Sequence, residues 1–545
     1  MRAWTLSRSH FTTVILTILV ATFAGVGGAK PAYGWMDRYE VQIPMRDGKH
    51  LAADLYLPDS SHRWPTILIQ TPYNKAWYRL GGPPLDTKDY AFVIADWRGF
   101  WGSRDAFVLL PNRGKDGYDC VEWIADQKWS DGHVGTWGAS ALGIVQYQTA
   151  REQPPHLDAC VPMVADFKMH YERYYPGGIL LEAHVDMLDR HFIGMKDSLL
   201  AHPSHDWLWK RQEQSTDFPE DIADPMLIIG GWYDYTPASV IRAYNDLITR
   251  SDPQVRTDHR LVMGPWVHSG IDEKKQGQLR YRKAAGSAEK AAIAWFDYWL
   301  RGVGPGITEP PVRWFDMGTK AWQQIDTWPG SNSQQTVLYL HEDGSLSEQA
   351  PIEAVSSSEM PYDPSRPSPS VGGAVGYGLL KWKKEGPYDQ RDGVEGRADV
   401  LTFTTEPLSQ DLTIAGPVSA AIYLSSDRPD TDVMVRLTDV YPDGRSMLIL
   451  DAARRARFRI NFDAEQLLEP GVVYEIPVNL QDTGITIPVG HRIRIDVSSS
   501  NNSRYFANPN DGGPLYKKNA ELFIANNVVY HEQDHPSRLI LTTLP

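Results

Sequence analysis

Residues 134–151 read Val134-Gly-Thr-Trp-Gly-Ala-Ser140-Ala-Leu-Gly143-Ile-Val-Gln-Tyr-Gln-Thr-Ala-Arg151. Val134 to Trp137 has the texture of a short buried strand, and Ala141 to Arg151 has helical spacing. Ser140 falls on the turn between them. A serine there carries its Oγ to the edge of a sheet. The turn crowds the backbone, so small neighbours are needed, and Gly138 and Ala139 supply them. The helix behind the serine begins with amides that have no carbonyl partner, where a negatively charged oxygen would be held. The pattern is G-x-S-x-x-G: Leu142 stands where a second glycine would complete G-x-S-x-G. A motif this short occurs in ordinary tight turns, so its surroundings must decide.

Those surroundings alternate strand and helix. Tyr39 to Pro58 reads as a β-hairpin turning at Arg46-Asp47-Gly48-Lys49. Pro65–Gln70, Ala91–Asp96, Leu157–Val164, Pro225–Gly230 and Arg260–Met263 are short apolar runs, as buried parallel strands require. Gly117–Gln127 and Glu289–Arg301 are helical. This pattern predicts an α/β domain over about 35–305 with a mostly parallel sheet. Between Asp166 and Asp224 the strand signal stops, and a helical cap is expected at 166–224. Val303–Pro311 is rich in Gly and Pro and reads as a linker. From Val312 short strands dominate, predicting an all-β jelly-roll sandwich over 306–545. Pro361–Gly378 reads as a long surface loop.

A nucleophilic serine needs a base, and the base needs an orienting carboxylate. Pro225–Gly230 runs into Gly231-Trp-Tyr-Asp234, and Arg260–Met263 into Gly264-Pro-Trp-Val-His268. Asp234 and His268 are thus predicted in loops after consecutive strands, at the sheet edge that carries Ser140. The order Ser, Asp, His is that of α/β-hydrolases.

With these residues in view, the chain resembles the serine hydrolases grouped as the cocaine-esterase, glutaryl-acylase and X-Pro dipeptidyl-peptidase (CocE/NonD) family. The resemblance runs over nearly the whole chain after the leader. It is carried by Met45-Arg-Asp-Gly48, Thr71-Pro-Tyr-Asn-Lys75, Asp96-Trp-Arg-Gly-Phe-Trp-Gly-Ser103, the Ser140 turn and the Asp234 and His268 loops. Trp295-Phe-Asp-Tyr-Trp299 and Gly490-His-Arg-Ile-Arg-Ile-Asp-Val-Ser-Ser-Ser-Asn501 continue it. The resemblance implies an α/β-hydrolase fold with an inserted cap, followed by a galactose-binding-like sandwich. It implies Ser140 as nucleophile, His268 as general base and Asp234 as its orienter. It also implies an oxyanion hole made of the Tyr73 hydroxyl and the Ala141 amide. Relatives often carry an aromatic residue after the serine; Ala141 leaves the pocket wall there more open.

The expected chemistry is hydrolysis of an ester or amide through an acyl-enzyme, with no metal or organic cofactor, on a small-molecule or short peptide substrate. An X-Pro dipeptidyl-peptidase is the alternative, weakened because only about 35 residues precede the hairpin, too few for a large N-terminal helical domain. A degenerate, non-catalytic binding protein is a more remote one, disfavoured by the intact Ser/Asp/His set.

The first 30 residues carry Arg2 and Arg8, an apolar stretch Phe11–Ala24, and Gly27-Gly28-Ala29. This predicts a Sec-type signal peptide over 1–29 and an exported protein, periplasmic or extracellular, with an uncleaved anchor as the competing reading. The net charge of −14 argues against nucleic-acid binding. Other candidates are read as structural. His184, His191, His202 and His205 lack a metal-binding motif. Cys120 and Cys160 read as buried thiols rather than a bridge, Asp430 and Asp432 as a solvated loop, and Arg98, Arg104 and Asp105 as ion pairs shaping a loop. Of the 19 tryptophans, Trp137, Trp232 and Trp266 each lie two or three residues before a triad position. They are expected to buttress the catalytic loops and are candidates for a pocket wall.

Overall fold

The computed structural model describes residues 36–190, 192, 194–305, 309–375 and 384–545. The leader read at 1–29 lies outside them, as does His191. Among the described residues, no helix is long and apolar enough to cross a membrane.

The α/β half is built on one ten-stranded sheet. Strands β1 (Asp37–Pro44) and β2 (His50–Leu57) form the expected antiparallel hairpin. Next come β3 (Trp64–Thr71), β4 (Ala91–Asp96), β5 (Ser130–Ala139), β6 (Leu157–Met163), β7 (Leu227–Gly231) and β8 (Arg260–Gly264). The spatial order β1-β2-β4-β3-β5-β6-β7-β8 runs parallel from β4 onward. Helices cover these strands, which explains their unbroken apolar runs: every residue of β4 and β7 is buried. The helix Ala141–Arg151 follows β5 as predicted.

Two further strands join the sheet at its far edge. Val312–Asp316 pairs parallel to β8, with Val312 opposite Leu261, and Ala321–Ile325 pairs antiparallel to it. The first two strands after the 305/306 boundary thus extend the hydrolase sheet. The Gly/Pro segment before Val312 connects helix Ser287–Arg301 to one more parallel strand, with Trp314 and Phe315 buried. Strand texture alone does not reveal which sheet a strand joins.

Apart from a two-stranded ribbon, Lys275–Gln276 with Leu279–Arg280, the remaining strands form two antiparallel sheets, of seven and four strands, stacked as a jelly-roll sandwich. Long strands Leu412–Ser426 and Tyr474–Ile487 pair along their length. The sandwich is tied to the hydrolase sheet by Asp316, which accepts from the Thr486 amide (2.8 Å) and hydroxyl (2.6 Å). Ser368, inside the stretch read as a surface loop, is buried, with its amide on Ser500 Oγ at 2.8 Å. Residues 376–378 of that stretch are outside the description.

Asp430 and Asp432 are also corrected. Both are fully buried. Arg455 makes a two-pronged pair with Asp432 (2.9 and 3.0 Å), Arg457 meets Asp430 at 2.8 Å, and Asn508 Nδ2 donates to both aspartates. The guanidiniums come from the next strand and the turn after it, and nothing local to the Asp-Thr-Asp triplet marks them. Asp432→Ala would leave Arg455 buried without its main counter-charge, at an expected cost of about 3–5 kcal/mol. Urea unfolding followed by far-ultraviolet circular dichroism is the check, because the chain has no tryptophan after Trp382.

The cap spans β6 to β7. It contains helices Glu182–Asp189, Met195–Leu200 and Trp207–Thr216. Its core is aromatic: Tyr171, Tyr174, Tyr175 and Trp209. It rests on the sandwich through His205 and Lys210, both on Asp463, and through the Tyr516 hydroxyl accepting from the Leu180 amide.

Candidate active site

Ser140 caps the helix Ala141–Arg151 with φ 59° and ψ −122°, a conformation that costs a non-glycine residue about 1–3 kcal/mol. The surroundings enforce it. The Ser140 amide donates to Met163 O of β6 at 2.9 Å, and Ser140 O accepts the amides of Gly143 and Ile144, starting the helix. Gly138 has φ 150°, and a Cβ there would lie 2.5 Å from Leu142 Cβ; a Cβ at Gly143 would lie 2.6 Å from Ala165 Cβ. The glycine that the turn requires after the serine is therefore Gly143, three residues on. With Gly143 in the close approach to β6, position 142 is free to carry a leucine.

Tyr73 follows β3. The loop Thr71–Lys75 that carries it is held at several points. Its own amide donates to Thr71 Oγ1 (2.9 Å), and Trp101 Nε1 donates to Pro72 O (2.8 Å). The buried Lys75 donates its amide to Asp96 Oδ1 (2.7 Å) and its ammonium to Asp54 Oδ1 (2.6 Å). The Tyr73 hydroxyl is hydrogen-bonded to Ser140. Burial pushes its pKa up to about 12, and the serine contact only partly offsets this, so the phenol stays protonated and able to donate. Ala141 is the first helical residue and its amide has no carbonyl partner within the helix.

Asp234, at the end of the β7 loop, is 2% exposed. Its Oδ1 meets His268 Nδ1 at 2.9 Å and accepts the Tyr235 amide at 2.7 Å; its Oδ2 accepts the Thr236 hydroxyl at 3.2 Å. With Nδ1 engaged, His268 Nε2 is the nitrogen left for proton transfer. No hydrogen bond joins it to Ser140 among the described residues.

Of the predicted positions, Ser140, Tyr73 and Ala141 stand together, and Asp234 and His268 form a pair on the neighbouring loops. The three tryptophans are set apart. Trp232 is 1% exposed, donates to Phe315 O at 2.9 Å and packs on Trp328. Trp266 is fully buried beside Trp322. Trp137 is buried in the main core. Trp232 and Trp266 thus brace the sheet's far side, and the pocket-wall reading does not hold for them: their rings are spent on packing against the added strands and the segment that follows them.

The residues that do surround the site carry no wall signal in the sequence. Trp97, Phe100, Phe192 and Val145 pack with Ala141 and Tyr73 in one apolar cluster. Trp97–Phe100 and Phe100–Phe192 meet edge-on at 6.2 Å. On the other side a ladder of rings descends from the cap: Tyr174 on His184, His184 on Tyr235 at 4.2 Å, and Tyr235 on His268 at 4.7 Å. The signal that could have found Tyr235 is its place directly after Gly-Trp-Tyr-Asp234. His184 is thus a packed cap histidine, and His202 and His205 are held by Asp206 and by Asp463 with Glu213. Cys120 and Cys160 are buried, unbridged thiols. Arg98 pairs with Asp116 and Asp47, both at 2.7 Å.

Comparison with known proteins agrees with this layout. The protein named cocaine esterase from Rhodococcus sp. (strain MB1 Bresler) is 31% identical over 572 residues, spanning 92% of this chain and 97% of its own. The chain belongs to the CocE/NonD family of serine hydrolases. The X-Pro dipeptidyl-peptidase (S15 family) matches residues 47–193 and 182–270 of this family member. The X-Pro dipeptidyl-peptidase C-terminal non-catalytic domain matches 305–540. An aminopeptidase structure from a marine sediment Thaumarchaeota archaeon superposes with TM-score 0.82 at 24% identity, covering 94% of this chain and 97% of its own. An α-amino acid ester hydrolase gives 0.80 at 24%, covering 95% and 98%. These two establish the shared CocE/NonD fold: an α/β-hydrolase followed by an all-β sandwich.

Proposed function

We propose that this hydrolase is an exported enzyme that cleaves ester or amide acyl bonds through Ser140, His268 and Asp234. The observation that carries the reading is Ser140 on a strained strand-to-helix turn, its hydroxyl bonded to Tyr73 and the free Ala141 amide next to it. His268 Nε2 takes the Ser140 proton as Oγ bonds to the substrate carbonyl carbon. The carbonyl oxygen gains the negative charge and is held by the Tyr73 hydroxyl and the Ala141 N–H. When the oxyanion collapses, the bond to the leaving oxygen or nitrogen breaks, and His268 gives that atom its proton. Water, deprotonated by His268, then attacks the acyl-enzyme. The acid is released and Ser140 regains its proton. Asp234 holds Nδ1–H and stabilises the imidazolium that exists between the two transfers. The apolar cluster of Trp97, Phe100, Phe192 and Val145 suits a hydrocarbon acyl group.

The test is a fluorophosphonate on the purified protein, with the adduct located by mass spectrometry, beside turnover of 4-nitrophenyl butyrate and of a glycyl-prolyl anilide. An adduct on Ser140 with ester turnover is expected. An adduct elsewhere, or none with no turnover, overturns the reading; cleavage of the anilide alone turns it into a dipeptidyl-peptidase. Tyr73→Phe removes one oxyanion donor while keeping the ring in its cluster. It is expected to lower kcat by about 10²–10³-fold with little change in KM, measured on the same butyrate ester.

A further inference from the structure

Two consecutive residues meet His268. Asp234 takes its Nδ1, and the Tyr235 ring lies 4.7 Å from the imidazole, centroid to centroid, with the planes tilted by 41°. Neighbours in sequence reach one ring here because the loop is fixed around it. Backbone bonds zip the loops after β7 and β8 together: the Trp232 amide donates to Gly264 O (2.8 Å) and the Tyr233 amide to Trp266 O (3.1 Å). The two loops pass so closely that a Cβ on Gly231 would lie 2.3 Å from Trp266 O. The Asp234 amide then turns back onto Gly231 O (3.1 Å), and the Tyr235 amide closes onto Asp234 Oδ1 (2.7 Å). Thr236 follows and starts the helix Pro237–Arg250, its carbonyl accepting the Val240 amide at 3.1 Å. Tyr235 is thus pinned on both sides along the chain. From the cap, His184, 2% exposed, packs on its ring at 4.2 Å.

A neutral imidazole gains from such a ring about what it gains from any apolar side chain of that bulk. An imidazolium gains more. The face of an aromatic ring carries partial negative charge, and a cation within about 6 Å of its centre is attracted to it, more strongly where water is kept away. Tyr235 is 9% exposed, so little water reaches it. Asp234 serves one edge of the imidazolium through Nδ1–H, and among the described residues Tyr235 is the aromatic ring packed against His268. In acyl transfer the histidine is charged only between taking the serine proton and giving it to the leaving group. A contact that strengthens as this charge develops lowers the barrier and leaves substrate binding alone.

We propose that Tyr235 is a further catalytic residue, its ring holding the positive charge that His268 carries between the two proton transfers. This rests on the hydrolase reading above and adds one group to its machinery.

The experiment replaces Tyr235 in the full chain by phenylalanine and, through a suppressed stop codon, by 4-fluoro-, 3,5-difluoro- and 3,4,5-trifluorophenylalanine. Each fluorine draws electron density from the ring face with little change of size, so attraction for a cation fades along the series while packing stays. Turnover of 4-nitrophenyl butyrate is measured for each. The expected result is a log kcat that falls in even steps with fluorine count, by about tenfold from the phenylalanine variant to the trifluoro one, with KM within about twofold. Tyr235→Leu keeps the backbone amide on Asp234 and loses the ring, and should match the trifluoro variant. If it fails to fold, the fluorinated series decides alone, with melting temperature checking each member. A kcat that stays flat across the series, a change confined to KM, or a kcat that follows melting temperature instead of fluorine count overturns the proposal. Fluorophosphonate labelling separates this from failure of the reading beneath it. An adduct on Ser140 with a flat series sinks only the Tyr235 assignment; no adduct on Ser140 of the natural protein sinks the hydrolase reading and this proposal with it.

Discussion

Ser140→Ala is expected to abolish fluorophosphonate labelling and to lower kcat by about 10⁶-fold, with no loss of fold. The size follows from the chemistry. Without Oγ no acyl-enzyme forms, and His268 has nothing to deprotonate but water. What survives comes from Tyr73, the Ala141 amide and substrate binding, and amounts to about 10³-fold over the uncatalysed reaction in comparable triad enzymes. Stability should hold because alanine has the same Cβ in the same strained conformation, φ 59°. The backbone bonds from the Ser140 amide to Met163 O and from Gly143 and Ile144 to Ser140 O involve no side-chain atom. The alanine forfeits the hydrogen bond to the Tyr73 hydroxyl, which can turn to water in the open site. Unchanged melting temperature with intact kcat would mean another residue is the nucleophile.

The elements around the site were legible because their signals are local. A buried strand, a small-residue turn and a helix start all lie between Val134 and Arg151, and the helix begins and ends as read. The same holds for the loops after β7 and β8, whose Gly-Trp and Gly-Pro starts follow short apolar strands. Features that depend on distant partners were not legible. Asp430 and Asp432 look like loop residues until Arg455, Arg457 and Asn508 close around them. Val312–Asp316 has the same strand texture as its successors, and only its pairing with β8 assigns it to the hydrolase sheet. Trp232 and Trp266 are next to the site in sequence but face the opposite way. Conversely, Phe192 comes from the cap, whose sequence has no period that points to the serine.

Asp234 makes the second large prediction, and here two substitutions should differ. Asp234→Ala removes the acceptor from His268 Nδ1–H, so the ring loses its orientation and the imidazolium loses its counter-charge. A loss of about 10⁴-fold in kcat is expected. Asp234→Asn is expected to cost less, about 10²–10³-fold. The reason lies in which oxygen carries which bond. Both the His268 contact (2.9 Å) and the Tyr235 amide (2.7 Å) fall on Oδ1, and only the Thr236 hydroxyl (3.2 Å) meets Oδ2. An asparagine thus gains by keeping its carbonyl at the Oδ1 position, because a backbone N–H cannot accept a bond from an amide NH₂. Its NH₂ then faces the Thr236 hydroxyl, a rotor that reverses from donor to acceptor. His268 keeps a proton on Nδ1 and leaves Nε2 as the base, so the tautomer survives and only the charge is lost. A neutral acceptor bonds a developing imidazolium about half as strongly as a carboxylate. Measuring kcat for both variants on 4-nitrophenyl butyrate decides it. An asparagine variant as impaired as the alanine one would mean that its amide turns toward His268 and that the Tyr235 amide does not orient the side chain.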